Sequence, residues 1–98
     1  MDDIKLQKDA SRGARAESLL KNELLIEAFA ALEKDYTDAL FLTKPQDQIA
    51  REKLYLAVNV TRKVKDHLNS MVQNGKLAQK QLNDIASETE RKKLLGII

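Results

Sequence analysis

The amino-acid sequence predicts an all-α protein organised around a long antiparallel helical hairpin, with a short helix before it and another after it. The composition is the first observation, because 98 residues with only 3 Gly, 1 Pro, 2 Phe and 2 Tyr lack the turn and aromatic residues of strand-rich folds. The second observation is that apolar residues in two long segments recur at spacings of three and four, which is typical of amphipathic helices. A chain of this length forms one domain at most, so residues 1–98 are treated as a single helical domain.

Residues 1–21 are predicted to form a basic head that contains a short helix over 9–20. Either Asp9 or Ser11 is suited to begin that helix, since short polar side chains cap the first backbone N–H groups. Gly13 is expected to weaken it, because glycine has a low helix propensity. Arg12 and Arg15 are expected to point outward from the helix.

Residues 22–75 are predicted to form the hairpin. Asn22 is a good N-cap for its first helix, over 22–42, and Pro45 fits the first turn of its second helix, over 45–74. Thr43 and Gln46 have the spacing of a capping box, and the pair 74–75, Asn-Gly, is predicted to end the second helix as a C-cap. The side chains expected to hold the hairpin and neighbouring copies together are Leu25, Phe29, Leu32, Tyr36, Leu56, Val60, Val64 and Met71.

The charges of the two helices indicate how they are oriented, and the width of their apolar faces indicates whether further contacts cover them. The first helix carries five acidic residues and one lysine, whereas residues 44–75 carry six cations and three acids. Such a difference fixes the orientation of two helices more than it stabilises them, since exposed ion pairs contribute about 0 to 1 kcal/mol each. Both apolar faces are wider than a two-helix contact needs, and soluble monomers rarely leave large apolar patches open. The surplus apolar surface is expected to be covered either by the head and tail of the same chain or by another copy of the hairpin, and the sequence favours the second, a homo-oligomer.

Residues 76–98 are predicted to form a short helix over 76–86 and then a basic and apolar tail. Three consecutive cations, at 91–93, precede four aliphatic residues, which are Leu94, Leu95, Ile97 and Ile98. Chain termini are usually disordered unless they are tied down. These aliphatic residues are expected either to fold back over the hairpin or to dock into a partner protein.

The sequence holds little that could support catalysis. It has no cysteine, His67 is its only histidine, and it has no Gly-rich phosphate loop or nucleophile elbow. We therefore predict no enzymatic activity, no cofactor and no metal, and we interpret His67 as an edge-of-core or surface residue. No apolar stretch is long enough to span a membrane, so no membrane partner is predicted and the protein is expected in the cytoplasm.

Basic side chains offer one binding function. They are suited to neutralise phosphates of double-stranded DNA if several copies of the chain align them. For each cluster taken alone, an ordinary solvated helix face is the favoured interpretation. The candidate residues are Arg12, Arg15, Arg62, Lys63 and Lys65.

Several short runs carry a resemblance to a known group of proteins. They are Arg-Gly-Ala-Arg-Ala at 12–16, Leu-Leu-Lys-Asn-Glu-Leu at 19–24, Glu-Ala-Phe at 27–29, Arg-Glu-Lys-Leu-Tyr at 51–55, Gly-Lys-Leu-Ala at 75–78 and Leu-Gly-Ile-Ile at 95–98. In order and content the chain resembles small proteins encoded by tailed bacteriophages and prophages. Within that setting its architecture is similar to the small terminase subunit of phage DNA-packaging machines.

The resemblance implies a ring of helical hairpins, an N-terminal segment that binds DNA, and a C-terminal tail that engages the large terminase, the ATP-hydrolysing subunit. It also implies the cytoplasm of an infected bacterial host as the location. The chain departs from many small terminases in its head, which is too short for a full helix-turn-helix. The head therefore lacks the element with which many small terminases recognise a DNA sequence.

Two alternatives belong to other functional classes. The first is a virion structural or adaptor protein that binds other phage proteins and never touches DNA. The second is a phage-encoded inhibitor that binds a host protein through its apolar helical face. Salt-dependent DNA binding separates the packaging function from both alternatives, and presence in purified particles separates the two alternatives from each other.

Overall fold

A computed structural model describes residues 3–96 and confirms the all-α class, because every regular element in that range is a helix. Helix α1 spans Asp3–Leu20, helix α2 spans Glu23–Leu42 and helix α3 spans Gln48–Leu94. Helix α3 is 47 residues long, so it rises about 70 Å at 1.5 Å per residue.

Helices α1 and α2 lie one after the other along α3, and both run antiparallel to it. Gly13 of α1 lies against Gly75 of α3, and Glu33 of α2 approaches Lys65 of α3. The contact on α3 thus moves back along the chain as the first two helices advance. The molecule measures 75 × 25 × 16 Å with a radius of gyration of 21.5 Å, against about 13 Å for a compact chain of this length. It is a rod in which two successive helices, α1 and α2, lie along one continuous helix, α3.

The break between α1 and α2 lies where the sequence predicts a new helix to begin. Asn22 has extended backbone angles, and its side-chain oxygen accepts a hydrogen bond from the backbone N–H of Leu25 at 3.1 Å. This confirms Asn22 as the N-cap of α2. Helices α1 and α2 make few contacts with each other, so each is held mainly by α3.

The connection between α2 and α3 differs from the prediction. The Thr43 hydroxyl donates a hydrogen bond of 2.7 Å to the backbone carbonyl of Leu40, so Thr43 closes α2 instead of opening α3. Helix α3 is capped by Asp47, whose carboxylate accepts from the backbone N–H of Ala50 at 3.3 Å. Pro45 consequently lies in the turn before α3, and the predicted start at that residue is wrong.

The predicted helix end at Asn74 and Gly75 is also wrong, because α3 runs through both residues without interruption. The predicted separate helix over 76–86 is therefore part of α3. Gly75 does not adopt the positive φ of a C-cap; among the described residues only Gly96 does, with φ of 72°. Gly75 instead allows a close backbone approach, since a Cβ added there would lie 2.6 Å from the Cα of Gly13.

Helix α1 is longer than predicted, because it begins at Asp3 instead of near Asp9. Leu6, in the added first turns, is buried and lines the same groove as Ala78 of α3. Gly13 does not weaken the helix enough to break it, since this glycine lies at the contact with Gly75. The packing against α3 stabilises α1 beyond what its local sequence provides.

The rod buries few large side chains. The buried apolar residues are Leu6, Ala16, Val58, Val72 and Ala78. Of the eight residues predicted to hold the hairpin and its neighbours together, four are half-buried, namely Leu25, Phe29, Tyr36 and Met71. The other four are exposed, namely Leu32, Leu56, Val60 and Val64. Helix α2 packs on the side of α3 where Val58 and Thr61 are buried, so it does not cover Leu56, Val60 and Val64. Contact of the four exposed residues with another copy stays a prediction.

Candidate nucleic-acid interface

Helix α1 presents a stripe of four cations on one side, which we call the basic stripe: Lys5, Lys8, Arg12 and Arg15. Their spacings of three, four and three residues keep them within an arc of about 80° on the helix. All four side chains are exposed, and none of them takes part in an ion pair within residues 3–96. The stripe flanks the face that packs on α3, where Gly13 is buried.

Two members of the basic stripe line an open groove between α1 and α3. Its volume is about 630 Å³, and Lys5 and Arg12 form one wall. The opposite wall carries the polar side chains of His67, Asn74 and Gln81. These side chains are hydrogen-bond donors, so the groove is suited to an anion such as a phosphate group.

One acidic residue, Asp9, reduces the positive charge of this groove. Asp9 is half-buried, lines the groove and lies about one helical turn from both Lys5 and Arg12. Its carboxylate lowers the positive potential at this place without forming an ion pair within the described range. The outer members of the stripe, Lys8 and Arg15, do not line this groove, and they lie with Arg12 along a second shallow depression on α1.

Glu17, the acidic residue in the second half of α1, is held away from the basic stripe. Glu17 forms a 3.2 Å ion pair with Lys21. The hydrogen bond and charge of Lys21, together with the charge of Lys76 on α3, lower the pKa of Glu17. Glu17 lies about 160° around α1 from the middle of the stripe, so its negative charge does not compensate the four cations.

The predicted cations of α3 separate into three environments. Lys65 is committed to α2, because its ammonium lies 3.7 Å from a Glu33 carboxylate oxygen and 5.9 Å from the centre of the Phe29 ring. Lys63 is exposed and lies one turn before His67, on the side of α3 that continues into the groove. Arg62 is exposed as well but points about 100° away from Lys63 around the helix.

The structure thus brings Arg12 and Arg15 together in one stripe and leaves Arg62 and Lys65 apart from it. The sequence interpretation missed Lys5 and Lys8, because it began the helix of the head at residue 9 and so left both residues outside it. The signal was present in the sequence, since all four cations share one helical spacing.

The described end of α3 extends away from the hairpin. Leu94 is 83% exposed and Leu95 is 65% exposed, so neither folds back over α1 or α2. Lys92 forms a 3.6 Å pair with Glu88 on the same helix. Ile97 and Ile98, the other two predicted docking residues, lie outside the described residues.

Within residues 3–96 no group of three or more His, Asp or Glu side chains is arranged to hold a metal ion. None of the helices in the same range is apolar over a sufficient length to cross a membrane. No protein-family model, no curated protein and no solved structure matches this chain.

Proposed function

We propose that this protein is a non-enzymatic DNA-packaging component of a tailed bacteriophage, similar to a small terminase subunit, which oligomerises and presents double-stranded DNA to a motor subunit. It acts in the cytoplasm of the infected host. The observation that carries the DNA-binding part is the basic stripe of α1, four exposed cations in one row without ion pairs in residues 3–96.

The stripe is suited to a row of phosphates. Lys5 and Arg15 are ten residues apart, so the stripe is about 15 Å long, which spans several successive phosphates of a DNA strand. Lys63 extends the same side beyond the end of the groove. Arg62 and Lys65 are left out of the proposed interface, because Arg62 points elsewhere and Lys65 is held by α2.

The shape of α1 favours contacts with the DNA backbone over base recognition. A recognition helix that enters the major groove projects from a helix-turn-helix, whereas α1 packs along α3 for its whole length. Contacts with phosphates position a protein on DNA but carry no sequence information directly. We therefore propose binding that depends on salt and not on sequence.

Reversing the charge of both arginines in the stripe tests this proposal. The double variant Arg12→Glu and Arg15→Glu is expected to bind double-stranded DNA at least tenfold more weakly at low salt. The slope of log affinity against log salt is expected to fall by about two, because each phosphate contact contributes about one unit. Fluorescence anisotropy with labelled DNA at several salt concentrations measures both quantities.

The matched control is Arg62→Glu with Lys80→Glu. Both residues are exposed and lie at the same angle around α3, on a side away from the groove, and the net charge changes by the same amount. This control is expected to lose much less affinity. An equal loss in both double variants contradicts the interface, as does unchanged DNA retention after reversal of the two arginines.

A second candidate function is an adaptor that binds another phage protein through the end of α3. The exposed Leu94 and Leu95 on the last turn favour it, since apolar residues at a projecting helix end gain by being covered. The adaptor is expected in purified phage particles, and removal of residues 94–98 is expected to prevent its incorporation without changing DNA affinity. In the packaging proposal the same end engages the large terminase.

A further inference from the structure

We infer that the exposed apolar side of the α2–α3 pair is covered by a second copy of this chain, with α2 of each copy lying on α3 of the other. The inference rests on the proposed function for its setting, an oligomeric subunit, and names the contact surface and the occupant. We call this surface the open face. Its large side chains are Leu24, Leu32 and Leu42 of α2 and Leu56, Val60 and Val64 of α3.

These side chains share one side of the α2–α3 pair. The pair between Lys65 and Glu33 marks the opposite side, because Val60 and Val64 lie about 140° and 100° around α3 from Lys65. Leu32 lies about 100° around α2 from Glu33, in the same rotational direction as Val64 lies from Lys65. Because the two helices are antiparallel, the same direction of rotation places Leu32 and Val64 on the same side of the pair. The residues therefore form one continuous surface across both helices.

The open face is confined to the level of α2. One heptad after Val60 and Leu56, the same lines of α3 carry His67 and Lys63, and the next heptad carries Asn74 and Ser70. Beyond that level α1 covers α3. The apolar surface thus ends where the polar groove begins, which indicates a bounded contact surface.

The size of the open face is that of a stable interface. Its six large side chains are between 42% and 85% exposed. Together they expose about 600 Å², and each partner in a stable interface contributes roughly 600 to 1,000 Å². A surface of this extent is rarely left open by a soluble monomer.

Charge complementarity identifies the occupant as a second copy. Helix α2 is acidic, with Asp35 exposed within the α2 half of the open face, between the lines of Leu42 and Leu32, and Asp38 exposed near its edge. The first half of α3 is basic, with Lys53 exposed within the α3 half of the open face, between the lines of Val60 and Val64. A two-fold axis parallel to the rods lays each acidic helix on a basic one, whereas an axis perpendicular to them places like charges together.

The two-fold arrangement also has a consequence for the basic stripe. An axis parallel to the rods places both α1 helices at the same end of the pair. Two basic stripes then lie at one end of the pair, which concentrates positive charge at that end. The contact itself does not require DNA.

The first test is the molar mass without DNA, measured by light scattering after size exclusion, for the parent chain and two variants. The parent is expected to have the mass of two copies or an even number of them. Leu56→Glu with Val60→Glu is expected to have the mass of one copy while circular dichroism still shows helix. Tyr55→Glu is the control, because Tyr55 is 65% exposed and Leu56 is 62% exposed, yet Tyr55 lies on the opposite side of the pair.

A parent mass of one copy or of an odd number of copies overturns the inference. Dissociation by Tyr55→Glu to the same degree, or no dissociation by the double variant, overturns it as well. Because DNA is absent, a failure here is distinct from a failure of the basic stripe to bind DNA.

The second test uses the absence of cysteine in the sequence. A protein with Leu32→Cys and a protein with Val64→Cys are mixed and oxidised. The mixed disulfide is expected to exceed both self-linked products, because α2 of one copy lies on α3 of the other. A predominance of self-linked products overturns the proposed arrangement.

Discussion

Replacing Gly75 with leucine is expected to detach α1 from α3 and to lower the free energy of unfolding by about 3 kcal/mol or more. The first added carbon alone would lie 2.6 Å from the Cα of Gly13 and 3.0 Å from the backbone carbonyl oxygen of Asp9. Both obstacles are backbone atoms, so no side-chain rotation relieves the contact. The smaller change Gly75→Ala is expected to cost less, since alanine recovers about 1 kcal/mol of helix propensity.

The matched control for this prediction is Gln73→Leu, which adds a leucine to an exposed position of the same helix. It is expected to leave stability nearly unchanged. Chemical denaturation at one fixed protein concentration measures the difference, since self-association makes stability depend on concentration. Trypsin is expected to cut after Arg12 and Arg15 faster in Gly75→Leu than in the control. A Gly75→Leu protein that is as stable and as resistant to trypsin as the parent contradicts the close packing of Gly75 against Gly13.

The contact between Gly13 and Gly75 also shows which part of the fold the sequence cannot predict. Hydrophobic periodicity and the N-cap at Asn22 are local signals, and they predict the helical class and the start of α2. From its sequence neighbours alone, a glycine indicates either a weak point in a helix, as for Gly13, or a C-cap, as for Gly75. Their role depends on a partner 62 positions away, so only the assembled structure reveals it.

The candidate site shows the same division between local and assembled information. Arg12 and Arg15 are identified by charge alone, and the spacing of Lys5 and Lys8 extends the row once α1 is known to begin at Asp3. The groove residues His67 and Asn74 come from the far half of α3, which no local pattern connects to α1. Lys65 illustrates the converse, because its partner Glu33 lies on another helix and removes it from the set of free cations.

A proline at position 76 tests the continuity of α3, which carries the whole rod. Lys76→Pro removes a backbone donor inside the helix, and its ring would clash with the carbonyl of residue 72, so we expect a loss of about 3 kcal/mol or more. Proline is common just after a helix C-cap, so a helix that ended at Gly75 would tolerate this change.

The control for Lys76→Pro is Gln48→Pro at the first residue of α3, where proline is well tolerated. Thermal unfolding followed by circular dichroism is expected to show a much lower midpoint for Lys76→Pro than for Gln48→Pro, at equal protein concentration. Equal midpoints contradict a continuous α3. A broken α3 would also separate the level of the open face from the level of the basic stripe. Lys76→Pro is therefore expected to weaken DNA binding more than Gln48→Pro does, although residue 76 itself lies outside the stripe.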